Sequence, residues 1–295
     1  MTIRSFRPED ASALVVVAKS CARGETDFVL VPLWESERDL FGEFERHGID
    51  PEQHLLVTEA GDGTVVGCTG FVRRPGASAA GLVCPIVARD ARGHGVGGEL
   101  LRAALALGSE RLGVKLVSAA IGVRNRAGYS LLTALGFRAA RQHFLMRLDD
   151  TPVAVRMPIE GLELDAARDD DAEAILAIYT ACGFEARTPE SMRAVLSDGR
   201  HAHGVARHGG KVVAFAELET HWPERPWVAY VGVEAMIQNR GVGSSLVAWA
   251  LARRFEAGAQ SALLLLSPGN RPALQAYEKV GFHRHRLVDV LEKGL

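Results

Sequence analysis

The sequence is short of what several kinds of protein require. Its four cysteines, Cys21, Cys68, Cys84 and Cys182, stand far apart. No zinc or Cys-x-x-Cys redox motif can be written with them, and reduced, mostly buried thiols are the expectation. No metal is implied. No apolar run approaches the length of a membrane span, and the stretch from Met1 to Asp10 has no apolar core of signal-peptide type. Neither charge predominates, with 34 Lys and Arg against 36 Asp and Glu, so nothing attracts nucleic acid or an anionic membrane in general. A cytoplasmic protein with neither kind of partner is expected.

What is present is 47% hydrophobic residues in 295, enough for buried cores in two domains. The chain also repeats itself. Arg7-Pro-Glu-Asp-Ala-Ser-Ala-Leu14 returns as Arg168-Asp-Asp-Asp-Ala-Glu-Ala-Ile175, each a strand end, a polar N-cap cluster and the start of an apolar helix. Asn125-Arg126 precedes Gly136-Phe137, and Asn270-Arg271 precedes Gly281-Phe282, at the same interval of 11. The offset between repeats is 161 at Arg7 and Arg168, 146 at Arg92 and Gln238, and 145 at Asn125 and Asn270. The first repeat therefore has 15 extra residues before its turn, within Gly24 to Gln53.

Each repeat centres on a glycine turn between an apolar strand and an amphipathic helix. The turns read Arg92-Gly93-His94-Gly95-Val96-Gly97 and Gln238-Asn239-Arg240-Gly241-Val242-Gly243, both Gln/Arg-x-x-Gly-x-Gly. Alternate glycines let the backbone turn tightly and aim several N–H groups at one spot before a helix, where a phosphate or pyrophosphate can sit. The first turn also reads as a dinucleotide fingerprint through Gly98. The acidic residue that such a fold wants about 20 positions onward is missing, since Val117 to Ile121 stands there, and Leu246 breaks the pattern in the second copy. No Gly-Lys-Ser/Thr follows either turn, which excludes a nucleotide-triphosphate loop.

Ahead of the turns, runs rich in valine and separated by Asp62-Gly63 and Gly209-Gly210 predict strands at 54–59, 65–72 and 81–87, and again at 204–207, 211–218 and 227–233. After the turns, apolar residues at helical spacing predict a helix on a sheet, followed by buried strands at 115–121 and 262–266. The segment from Asp149 to Gly161, with two prolines and no periodicity, reads as a linker. This gives an N-terminal domain at 1–150, a linker at 151–160 and a C-terminal domain at 161–295.

With its paired turns, the Asn-led helices and the Gly-Phe that follows each, the sequence resembles the GCN5-related N-acetyltransferases (GNAT) over almost its whole length. The resemblance implies an α/β fold of two tandem domains, each a mixed, mostly antiparallel sheet flanked by helices. It implies acetyl transfer from acetyl-CoA to a primary amine of a small molecule or peptide. The pyrophosphate would lie on Gln238, Asn239, Arg240, Gly241, Val242, Gly243 and Ser244, and in the first repeat on Arg92, Gly93, His94, Gly95, Val96, Gly97 and Gly98. The strand before each turn would hold the pantetheine arm through Val231 and Val233, or through Pro85 and Val87. Proline has no N–H to donate, which weakens the first site.

The family's proton donor to the thiolate is a tyrosine four residues before Gly-Phe, matched by Tyr277; the first repeat has Leu132 there, with Tyr129 one turn earlier. Tyr277 can also be read as a core tyrosine. Asn125 and Asn270 match the family's asparagine beside the cofactor arm and are equally apt as N-caps. For the base, Glu217 and Glu219 share one strand face, Glu219 being the choice nearer the cleft, with His221 and Glu234 as outside candidates. The early segment with the 15 extra residues would cover the acceptor side of the first cleft. Catalysis is expected in the second repeat, with the first degenerate. The competing reading is a sensor or scaffold that binds acyl-CoA without turnover.

Overall fold

The computed structural model describes residues 1–155, 159–184 and 186–295. Along the first repeat the chain forms β1 (Thr2–Ser5), α1 (Ala11–Arg23), α2 (Glu37–His47), α3 (Pro51–His54), β2 (Leu55–Glu59), β3 (Val65–Val72), β4 (Ala79–Val87), α4 (Val96–Ala106), β5 (Leu116–Gly122), α5 (Arg126–Ala134) and β6 (Arg138–Leu148). The second repeat gives β7 (Leu162–Ala166), α6 (Ala172–Ala181), α7 (Pro189–Ser197), β8 (His201–His208), β9 (Lys211–Glu219), β10 (Trp227–Val233), α8 (Val242–Glu256), β11 (Ala262–Leu266), α9 (Arg271–Val280) and β12 (His283–Gly294).

The recurring Arg-x-x-Asp-Ala stretches make the corner between first strand and first helix. Asp10 accepts from the Arg7 N–H at 2.8 Å and from both terminal nitrogens of Arg4 at 2.8 Å. Asp171 accepts from the Arg168 N–H at 2.7 Å and from Arg207 at 2.8 and 2.6 Å. A buried carboxylate needs such partners. The Arg4 guanidinium holds the Asp10 carboxyl below the usual carboxylate range.

Two compact units result, Met1–His143 with Leu287–Leu295, and Phe144–Arg286. The first has the strand order β1-β2-β3-β4-β5-β12, and only β4 and β5 run parallel. The second has β7-β8-β9-β10-β11-β6, and only β10 and β11 run parallel. The closing strands are exchanged. The last strand of the second repeat, β12, pairs with β5 from Val288↔Gly122 to Gly294↔Leu116, while Phe144–Leu148 of β6 pairs with β11. Boundaries at 150 and 161 follow the sequence repeats; the compact units depart from them at these strands. The edges of β5 and β11 each present unpaired N–H and C=O groups that any adjacent strand can satisfy, and repeat order does not dictate which one does. Of the expected linker, 156–158 lie outside the described residues.

The continuous apolar run of β9 follows from its two covered faces. Ala214, Ala216 and Leu218 share a core with Leu246, Val247 and Leu251 of α8, while Phe215 packs with Ile175, Ile178 and Tyr179 of α6. Glycine is required where that packing is closest. A Cβ on Gly232 would stand 2.4 Å from the Phe215 ring.

Ending the chain after Arg286 removes the buried Val288, Val290 and Leu291 from the first unit. Amide exchange should then accelerate strongly in β5 and little in β9, as read by hydrogen–deuterium exchange. Retained protection in β5 would contradict the exchange of strands.

Candidate active site

Both glycine turns fold as the alternate glycines require. Gly95 and Gly241 cap α4 and α8 at φ of 83° and 87°, a left-handed region costly for a side chain. Two residues earlier the first turn has Gly93 at φ 82°, and the second has Asn239 at 60°, the non-glycine residue type that best tolerates this region. No side chain caps either helix, so the first-turn N–H groups face outward with the positive end of the helix dipole. The first residue of each motif also fastens turn to strand. Gln238 Nε2 donates to the Val233 carbonyl at 2.9 Å, and Arg92 Nε to the Val87 carbonyl at 2.8 Å. Arg92 also reaches Asp27 at 3.3 Å and Cys21 Sγ at 3.3 Å.

In the second repeat Val231, Val233, Gln238, Asn239, Gly241, Val242, Gly243, Ser244, Asn270 and Tyr277 line one cavity of about 230 Å³. In the first, Val87, Arg92, Gly93, Gly95, Val96, Gly97, Gly98 and Asn125 line one of about 280 Å³. Arg240 and His94 are exposed and line neither cavity. The asparagine-led helices contribute Asn270, Pro272, Ala273, Ala276 and Tyr277 to one cavity and the matching Asn125, Ala127, Gly128 and Leu131 to the other. The series differs at its last member: Tyr277 reaches its cavity, whereas Leu132 lies in the core at 2% exposure. Tyr129 packs against that same core. Burial pushes the Tyr277 hydroxyl up to about 12, so it keeps its proton at neutral pH. Cys21 and Cys182 also face the two cavities, a correspondence that the offset of 161 contains.

The asparagines cap α5 and α9, accepting from Gly128 N–H at 2.9 Å and Ala273 N–H at 3.2 Å. Their amide NH₂ groups differ. That of Asn125 donates to the Phe28 carbonyl at 3.2 Å, while Asn270 is exposed and its NH₂ has no partner among the described residues. The reason is a strand parting. β10 pairs with β11 only at Trp227↔Leu263, and β4 with β5 only from Ala79 to Gly81. In the first repeat the extra segment enters the gap. Val29 bridges Ile121, Leu30 N–H donates to Ala120, Gly122 N–H donates to Phe28, and Cys84 N–H donates to Val31 at 2.8 Å. Among the described residues no chain fills the corresponding gap beside β11.

Glu219 lines neither cavity. It is buried in register with Trp227, where β11 leaves β10. Glu217, two residues earlier and opposite Tyr230, is 1% exposed and takes Arg187 on both oxygens at 2.6 and 3.1 Å, with His201 and His203 at 3.5 and 3.6 Å. Burial opposes its charge, but the two histidines and Arg187 prevail and hold the carboxyl well below the usual range. Arg187 lies over the rings of Tyr179 and Tyr230 at 4.6 and 5.0 Å. This cluster was not expected. Its signal was the alternation His201-x-His203 facing Glu217-x-Glu219, which becomes visible only with the strand register.

A strand that leaves its parallel neighbour, a glycine turn at its end and a helix with uncapped amides recur in each half. The chain belongs to the acetyltransferase (GNAT) family, whose sequence profile matches residues 24–137 and 172–282. It is 29% identical over 167 residues to the mycothiol acetyltransferase of Propionibacterium freudenreichii subsp. shermanii, covering 52% of this chain and 53% of that protein, about half the relative's length. It is 30% identical over 250 residues to the mycothiol acetyltransferase of Streptomyces bingchenggensis, covering 78% of each. A GCN5-related N-acetyltransferase from Sphaerobacter thermophilus has a similar fold, with a TM-score of 0.81 at 20% identity over 99% of this chain and 95% of that one. So does a tandem GNAT protein from the clavulanic acid biosynthesis pathway, with a TM-score of 0.74 at 16% identity over 99% and 98%. No helix among the described residues is long and apolar enough to cross a membrane.

Removing the cation from the buried pair should cost more than the pair contributes. Arg187→Ala leaves Glu217 among apolar rings with two histidines and should lower stability at neutral pH by about 3–5 kcal/mol. In the native protein the carboxyl's depressed value means that its stabilisation is complete above the unfolded-state value and fades as pH falls toward the folded one. In the variant the folded value rises, so Glu217 takes up a proton earlier and the deficit should narrow from pH 7 to pH 4. Urea melts of both proteins across that range measure it. A deficit independent of pH would contradict the assignment.

Proposed function

We propose that the protein is an acetyl-CoA-dependent N-acetyltransferase acting on a primary amine, with its chemistry in the second repeat, 161–295, and a first repeat, 1–150, that does not catalyse. The observation that carries this is Tyr277, a protonated phenol at a cavity that its counterpart Leu132 does not reach in the first repeat.

The glycine turn and the uncapped amides of α8 suit the pyrophosphate. Gly243 helps by having no Cβ, since one would stand 3.4 Å from Val233 and narrow the cleft. Val231 and Val233, on the free edge of β10, would hold the pantetheine arm. The lone pair of the neutral amine attacks the thioester carbon; the C–N bond forms, the C–S bond breaks, and the sulfur takes the proton of Tyr277. The nitrogen gives up its extra proton through water to Glu219, the base we assign at the apex of the splay. Oxidation states do not change. The relatives' name supports acetyl transfer as the reaction class.

Tyr277→Phe keeps the ring against Phe282 and removes the hydroxyl. Its kcat should fall by about 10²–10⁴ with little change in acetyl-CoA affinity, the size expected when a general acid is lost. A wild-type kcat on an acceptor for which chemistry limits the rate would return Tyr277 to the core. Screening amines, amino acids, aminoglycosides and peptide N-termini for CoA release supplies that acceptor.

Gly241→Val, forcing a branched side chain to a φ of 87°, should abolish acetyl-CoA binding by calorimetry. Gly95→Val should leave turnover per folded molecule within a few-fold. Loss of turnover in the Gly95 variant, with binding at the second turn intact, would reverse the assignment of the repeats.

A further inference from the structure

The first repeat fills part of its own strand gap with a segment of the chain. That segment, Phe28–Val31, enters the gap between β4 and β5, bridging Ile121 of β5 in the antiparallel sense at Val29 and bending at Leu30 and Val31. Three groups of the β5 side hold it. The Ala120 carbonyl accepts from the Leu30 N–H at 2.9 Å, the Gly122 N–H donates to the Phe28 carbonyl at 3.1 Å, and the Asn125 NH₂ donates to the same carbonyl at 3.2 Å. The cavity of about 280 Å³ persists along Pro85, Ile86 and Val87, with Val29 as a wall. The segment also engages β4 where the Cys84 N–H donates to the Val31 carbonyl, and beyond that point it leaves room along β4 for a second elongated group.

At the offset of 145 the same three groups stand in the second repeat as the Leu265 carbonyl, the Ser267 N–H and the Asn270 NH₂. The register agrees, because Leu263, like Ser118, is the residue that faces its parallel neighbour. Residues 265 and 267 therefore point their backbone groups into the gap, and neither has a backbone partner there among the described residues. Asn270, fixed by its cap to Ala273, keeps its NH₂ exposed. An unpaired strand edge with a side-chain donor at its end is a site for β-augmentation.

We infer that the acceptor of the second repeat is a peptide-like chain with at least two amide groups, laid along β11 as Phe28–Val31 lies along β5. One amide carbonyl is shared by Ser267 and Asn270, and the N–H of the residue two further on donates to Leu265, as Phe28 and Leu30 do in the first repeat. The 15 extra residues of the first repeat deliver an internal copy of this occupant and close that cleft to acceptors. The inference rests on the reading that acyl transfer takes place in the second cleft, with the acyl arm on the β10 side.

The test compares trialaninamide, its analogues N-methylated at each backbone nitrogen in turn, and alaninamide, all with the full chain. Binding to CoA-loaded protein is measured by calorimetry and acetylation by CoA release. Trialaninamide should bind about tenfold more tightly than alaninamide, the order expected from one or two added hydrogen bonds, and one N-methyl position should erase the gain. Asn270→Asp keeps the cap oxygen and loses the donor, and should weaken trialaninamide binding by a similar factor with the fold unchanged by circular dichroism. Equal binding of trialaninamide and alaninamide, indifference to every N-methyl group, or no binding at millimolar peptide overturns the inference. These binding results decide it even if no amine is acetylated, an outcome that would instead defeat the functional reading. Acetylation of simple amines with no preference for the peptide leaves that reading standing and removes this one.

Discussion

The parting of β10 from β11 after a single paired position is the constraint from which the site follows. A parallel pair of strands is normally buried and fully bonded. Here the separation leaves one backbone edge on each side of a wedge-shaped gap, at the depth where the glycine turn delivers the N-terminus of α8. The strand edge suits an amide-rich arm, the helix end suits an anion, and Tyr277 on α9 forms the wall between. None of these elements could serve alone, since a helix end or a strand edge is common in any α/β protein. Their convergence on one cavity is the ground on which we propose the second half as the site.

The two halves show how the same architecture is taken in opposite directions by small changes. In the first, Leu132 adds to the core where Tyr277 reaches a cavity, Pro85 has no N–H where Val231 has one, and the inserted segment satisfies the edge of β5 with its own backbone. The result is a cleft whose polar groups are largely engaged within the fold. In the second, the shorter connection leaves the corresponding groups of β11 and Asn270 facing the gap. The buried Arg187–Glu217 pair, with Arg187 over the rings of Tyr179 and Tyr230, ties the residues before α7 to β9 and β10.

Much of the fold was legible in the sequence because its signals are local. The runs at 65–72, 227–233 and 262–266 became strands with those bounds, and the Asp-Gly and Gly-Gly pairs became the turns between strands. The glycine turns formed at helix starts because only glycine, or asparagine at 239, adopts the required φ at low cost. Most of the residues singled out around each turn do line one cavity. What the sequence hid depends on long-range register. Gln238 and Arg92 also bond the Val233 and Val87 carbonyls, a link from turn to strand that no local pattern announces. His201, His203 and Arg187 meet Glu217 only once β8, β9 and the α6–α7 connection are assembled. The exchange of β6 and β12 is invisible in a repeat pattern, since either strand satisfies either edge.

The central claim is that acyl transfer occurs in the second gap while the first is occupied by its own chain. A crystal structure of the full chain grown with acetyl-CoA tests it most directly. The account predicts the acetyl group between β10 and β11, with the thioester sulfur within hydrogen-bond reach of Tyr277 Oη and Phe28–Val31 still paired with β5. An acetyl group lying between β4 and β5, with Phe28–Val31 displaced from Ala120 and Gly122, would contradict it.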